Sequence, residues 1–244
     1  VTLLTFYLSS PTITRVATLR DGRLLGLTVL FFALFIGWEK RHSNPYVGLK
    51  IFASPTFSRA SVGAGVRMFS MSGVGFLMPL YLTDVHLLSA SAIGIVLMMH
   101  AGALLTTMRA GGQLADRWAS RWPVTVGLLV QVGSMVSFSL MPATTPLWLV
   151  TAVVMIHGLG AGLSLAALHR ASMGRIPQEQ VGMAAGVYSM VRFTGTMLGP
   201  AVGGVLLQQG LDWSLPVVEA YQLVFWMIAG VAVLGVVAGF GLRE

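Results

Sequence analysis

A chain of 244 residues with 55 % hydrophobic side chains, 9 % charged ones and a mean hydropathy of +0.80 has too few polar groups to cover a water-soluble globule, which carries about one quarter charged residues. The formal charge of +7 and pI near 10.6 do not indicate nucleic-acid binding, because the basic residues fall in small groups between apolar runs rather than along one soluble face. With no cysteine in the chain, disulfides, thiolate catalysis and thiolate metal sites are excluded.

The apolar windows match the length that an α-helix needs to cross a bilayer, so the fold expected is an all-α polytopic membrane protein. Residues 1–8 are apolar but too short to cross, and read as the end of an interrupted helix in a longer polypeptide. The first full span covers residues 22–38 and closes on Glu39-Lys40-Arg41-His42. Residues 43–58 are amphipathic, with turn signals at Asn44-Pro45 and Ser54-Pro55, and suit the membrane interface. Further spans follow at 60–82, 91–112, 122–140, 147–167, 181–207 and 221–242.

Charge placement orients the set. Lys40, Arg41, Lys50, Arg59, Arg109, Arg117, Arg121, Arg170 and Arg175 fall in alternate connections, while the others hold only Asp84, Asp212 and Glu219. Retention of Lys and Arg in short cytoplasmic loops predicts that the break at residues 109–121 and the C terminus face the cytoplasm. Arg15, Arg20 and Arg23, ahead of the first span, do not fit this alternation; helices upstream would fix that part of the topology.

Two stretches carry polar or conformational detail. In the break, Gly111-Gly112 permits a close turn, Asp116 can accept hydrogen bonds from a helix end or an arginine, and Arg117 and Arg121 can meet carboxylates or lipid phosphate. The plain alternative is an ordinary basic turn. In the sixth span, Gly195, Gly199 and Gly203 recur every four residues and share a face with a smooth surface for helix packing. Gly182 and Gly186 form a similar pair upstream, and Pro200 withdraws a backbone donor, which predicts a bend.

Ionisable groups inside spans are costly in lipid and mark cavities or buried networks. Arg67 and Arg192 can line an aqueous cavity or join a polar network, or snorkel to the interface if near a span end. His100 and His157 can titrate, although a lone membrane histidine more often serves as a packing hydrogen-bond partner. Gln131 and Tyr188, with Phe193 and Trp226, are further candidates for an amphipathic pocket. No Asp or Glu falls within the spans from 60 onward, so a proton-carrying carboxylate would have to lie upstream.

The pattern Gly112-x-Leu114-Ala115-Asp116-Arg117-x-x-x-Arg121 resembles the cytoplasmic signature between the second and third helices of a major facilitator half. Ala119 and Ser120 stand where that family usually has a small residue and a further basic one. Gly195-x-x-x-Gly199-Pro200-x-x-Gly203-Gly204 resembles the signature of proton-driven antiporters on a fifth helix. Counting from the span at 60–82, both motifs fall on the matching helices. Phe35-x-x-Trp38-Glu39 with Pro45, Leu49 and Phe52, and Met78-Pro79-Leu80-Tyr81-Leu82, resemble the fourteen-helix drug/proton antiporter branch near its C-terminal half.

The resemblance implies the following organisation: 1–23 as the end of a linking helix and its connection, 24–58 as the second linking helix with an interfacial segment, and 59–244 as a six-helix C-terminal half. It also implies two halves rocking about a central cavity, with Asp116 latching one closed state through Arg117 or Arg121. The glycine face of the sixth span would lie between halves, its partner helix being outside this chain. The function implied is proton-coupled export of amphipathic or cationic compounds across the cytoplasmic (inner) membrane. Its partners would be those small molecules, protons, membrane lipid and the N-terminal half of the same polypeptide, with no nucleic acid. No cofactor or metal is expected, and no nucleophile triad, metal cluster or nucleotide loop points to an enzyme. A facilitator or symporter of a specific solute, or a non-transporting membrane scaffold, are the alternatives.

Overall fold

The computed structural model describes residues 49–242 and positions 26, 27, 29–31, 33, 34, 37 and 38. The chain divides into two compact units, Val1–Ser54 and Pro55–Glu244. In the first unit, the described positions between 26 and 38 are helical and exposed, and Leu49–Ala53 is a 3-10 turn. The remainder of the first predicted span and the opening stretch lie outside the described residues.

The second unit consists of six helices: α1 (Pro55–Asp84), α2 (Ala90–Trp118), α3 (Arg121–Leu140), α4 (Leu147–Met173), α5 (Val181–Asp212) and α6 (Val217–Phe240). No strand occurs among the described residues. Five of the helices, α2 to α6, are long and apolar enough to cross a membrane. The exception is α1, whose Ser and Gly residues, together with Arg67, dilute its hydropathy. Every one of its turns contributes a buried residue.

The six helices match the predicted spans from residue 60 onward in order but run past several of their ends. Helix α2 continues from the expected stop at 112 to Trp118, α4 from 167 to Met173 and α5 from 207 to Asp212. Hydropathy marks where lipid ends, whereas the backbone ladder continues into the interface as long as its residues favour a helix. The turn between α2 and α3 is therefore Ala119-Ser120, not Gly111-Gly112.

Packing follows a repeated scheme. Helix α2 lies against α4 and α1 against α5, while α3 packs on α4, α6 on α1 and α3 on α6. Exchanging the first three helices for the last three leaves this scheme unchanged, the arrangement of an inverted repeat. The α2–α4 and α1–α5 seams are parallel pairs in near backbone contact. A Cβ on Gly111 would strike the Leu163 carbonyl, one on Gly158 the His100 carbonyl, and one on Gly162 the Leu104 carbonyl. Across α3–α4, Gly127 and Gly160 each face the other's carbonyl. With lipid as solvent, apolar burial drives helix association weakly, so approach of this kind supplies the van der Waals contact that holds a bundle.

Gly102, by contrast, has open space where a Cβ would be. In the full polypeptide carrying these residues, Gly162→Val is expected to lower stability by about 1–3 kcal/mol through overpacking. Gly102→Val should change it by less than about 0.5 kcal/mol. Thermal unfolding in detergent measures both, and equal losses would refute the close-contact account.

Candidate functional site

A polar chain crosses the interior of the bundle. His157 of α4 is fully buried, and its Nδ1 lies 3.1 Å from Nε2 of His100 on α2. Its Nε2 lies 3.3 Å from Oγ of Ser70 on α1. The two imidazoles stack, with centroids 5.3 Å apart and planes 20° from parallel. One proton per ring satisfies both bonds: if His100 donates to His157 Nδ1, then His157 Nε2–H donates to Ser70. The reverse order works equally, so the chain can exist in two tautomeric senses. Ser70 and His100 are buried with it, and His100 retains a narrow exposed edge.

Arg67, one turn before Ser70, is also buried. Its Nε donates to the Ala161 carbonyl at 2.8 Å, and its terminal nitrogens rest on Met68 Sδ at 3.2 Å and Met71 Sδ at 3.7 Å. Tyr188 and Arg192 of α5 lie within electrostatic reach of that guanidinium. Arg192 stands 5.7 Å over the buried Tyr188 ring, whose edge meets His169 of α4 at 5.7 Å. Thus Arg67, His100, His157, Tyr188 and Arg192 occupy one region formed by α1, α2, α4 and α5. Gln131 is fully buried on α3, and neither its Oε1 nor its Nε2 has a hydrogen-bond partner. The exposed Phe193 and Trp226 do not line this interior.

The glycine motif of α5 has its partner within this chain. A Cβ on Gly195 would strike the Gly65 carbonyl of α1, and one on Gly199 the Phe69 carbonyl and Ser72 Oγ. Gly203 faces Leu77 at 3.3 Å, and Gly204 has looser contact with the Phe76 ring at 3.5 Å. This corrects the expectation that the partner lies outside the chain: α1 carries Gly65 and Gly73 opposite Val191 and Gly199, so both backbones can approach. Pro200 is half-buried inside the continuous α5.

At the basic end, Asp116 lies in the last turn of α2. Its Oδ1 meets Arg170 Nε of α4 at 3.4 Å, and Arg170 Nη1 also donates to the Ala115 carbonyl. The arginine clasping this helix end is therefore Arg170, not Arg117 or Arg121. Arg117 is exposed in the final turn, and Arg121 lies over the Trp122 and Phe240 rings at 5.8 and 5.9 Å. Gly112 sits 3.5 Å from Ala166 by its would-be Cβ. Ala119 turns the chain at φ 71° and ψ 152°, a region essentially reserved for glycine. Ser120, where the motif would place a base, is fully buried.

At the opposite end, Asp84 closes α1 and accepts from Tyr221 Oη at 2.5 Å, beside the Tyr81 ring that packs on Tyr221 at 5.4 Å. The carboxylates Asp84, Asp116 and Asp212 thus belong to helix ends rather than to connections alone. Sequence reading did not single out Ser70, Arg170 or the Asp84–Tyr221 pair. Ser70 stands three residues after Arg67 and so on the same helix face, a signal that could have linked it to the buried arginine.

His157→Ala would strand Ser70 and His100 in a dry interior, and should lower stability by about 1–3 kcal/mol for each group left without a partner. Asp116→Asn, at an exposed ion pair, should cost about 1 kcal/mol or less. Equal losses in chemical unfolding would contradict that ranking. Ala119→Gly relieves the backbone and should raise stability by roughly 1 kcal/mol; a decrease would show that the turn is unstrained.

The Major Facilitator Superfamily model matches residues 60–244. Among relatives, YvkA of Bacillus subtilis, an uncharacterised transporter of this type, is 23 % identical over 218 residues, covering 89 % of this chain and 46 % of its own. The riboflavin transporter RibZ of Clostridioides difficile is 23 % identical, with 87 % and 48 % covered. The quinolone resistance protein NorB of Staphylococcus aureus RF122 is 26 % identical, with 88 % and 46 % covered. The chain spans about half the length of these relatives. With a matching family model over six packed helices, the chain belongs to the major facilitator superfamily of membrane transporters.

Proposed function

We propose that these residues form the C-terminal half, with a preceding linking helix, of a fourteen-helix proton-coupled exporter of amphipathic or cationic compounds in the cytoplasmic membrane. The observation that carries this reading is its similarity to NorB and to a tetracenomycin C resistance and export protein of Streptomyces glaucescens, the latter 28 % identical over 189 residues. The Asp116–Arg170 clasp between α2 and α4 supports a gating role at the basic, cytoplasmic end. Gly111 and the buried Ala115 let these two helices meet there, with Gly112 in looser contact with Ala166, while Arg117 and Arg121 are left to face lipid phosphate. The α1–α5 glycine seam, including Gly199 beside Pro200, keeps this half rigid while it rocks. The N-terminal half supplies the proton-carrying carboxylate, and the C terminus is cytoplasmic.

The name of RibZ favours a second reading, a facilitator of one specific solute. The test is the full polypeptide reconstituted in vesicles, with ethidium as the cationic probe and riboflavin as the defined solute. Export predicts ethidium movement that accelerates severalfold under an imposed pH gradient and falls in Asp116→Asn. Ethidium movement that ignores the gradient would rule out proton coupling; riboflavin flux alone would establish the second reading.

A further inference from the structure

We propose that Arg67 of α1 and Arg192 of α5, the latter over the Tyr188 ring, form a binding site for a carboxylate among α1, α4 and α5, where Gly65 and Val191 bring α1 and α5 together. A guanidinium carries five N–H donors and a permanent charge, and an uncompensated charge in a dry interior is strongly destabilising. Arg67 is 2 % exposed, yet the structure gives it one neutral carbonyl and two thioether sulfurs. Sulfur is a weak acceptor, so the terminal nitrogens, the pair geometrically matched to the two oxygens of a carboxylate, have no strong acceptor.

The neighbouring groups add positive charge or donors. Arg192 and Tyr188 stand on α5, and His157, hydrogen-bonded to His100 and Ser70, stands on α4. Among the described residues the acids are Asp84, Asp116, Glu179, Asp212 and Glu219, all in helix ends or connections, and none is a partner of Arg67. Two cations, a phenol and a histidine pair without a facing acid describe a region complementary to an anion. The planar fork of Arg67 selects a carboxylate over a spherical ion.

That carboxylate comes either from a transported molecule or from an Asp or Glu elsewhere in a longer polypeptide. Only the first source rests on the export reading. Binding is measured without transport, so a failure of export leaves the result interpretable. The probes are 2-naphthoate and its uncharged counterpart 2-naphthamide, titrated into the detergent-solubilised full polypeptide. A ligand site predicts naphthoate binding at least tenfold tighter than naphthamide, weakened tenfold or more by Arg67→Met or Arg192→Met and less by Arg67→Lys. An internal source predicts no preference for naphthoate. In that case replacing one upstream Asp or Glu by its amide lowers the melting temperature as Arg67→Met does, and the double variant loses no more than either single one. If Arg67→Met does not fold, Arg192→Met and Arg67→Lys carry the comparison. No preference for naphthoate, with no acid coupled to either arginine, would overturn the proposal.

Discussion

Backbone contact at α4 is the constraint on which the bundle depends. Between Gly158 and Gly162 this helix meets α2 through its first and last glycines and α3 through Gly160. It also meets α1 through the Ala161 carbonyl that accepts from Arg67. Three neighbours are thus indexed to one turn and a half of helix. A side chain at any of these glycines would push a neighbour outward and disturb the others, because each seam shares the same short segment. Close packing of this kind transmits displacement rather than absorbing it.

The same turn places polar groups where water does not compete. His157 lies one residue before Gly158, so the contact that seats α2 on α4 also sets the distance between the two imidazoles. Ser70 and Arg67 are one turn apart on α1, which brings the hydroxyl and the guanidinium to the same helix. Such interior polar groups hold register as well as adding energy, since a shifted helix would leave each donor without an acceptor. The basic end is different. The Asp116–Arg170 pair is solvent-exposed, weak by itself and suited to breaking and reforming.

Much of this was legible in the sequence. The apolar windows from residue 60 onward gave the order of the six helices, because bilayer thickness acts on local composition. The glycines at 195, 199 and 203 marked a packing face. Their partner was not legible, because α1 presents Gly65 and Gly73 at a spacing of eight within a helix diluted by serine. His100 and His157 are 57 positions apart in the chain, and nothing local announces that parallel packing will stack them. Helix ends were misplaced where polar residues continue a helix, as at 113–118, since hydropathy is blind to the backbone ladder.

The interlocked scheme of the two helix triplets bears on how the chain is made. The strongest seams, α2 on α4 and α1 on α5, both join the first triplet to the second, while α1 and α2 touch each other little. During synthesis the leading three helices therefore enter lipid with their glycine grooves vacant and His100 lacking its mate. They remain a loose assembly until α4 and α5 emerge. Full packing of this six-helix unit therefore waits on its second triplet.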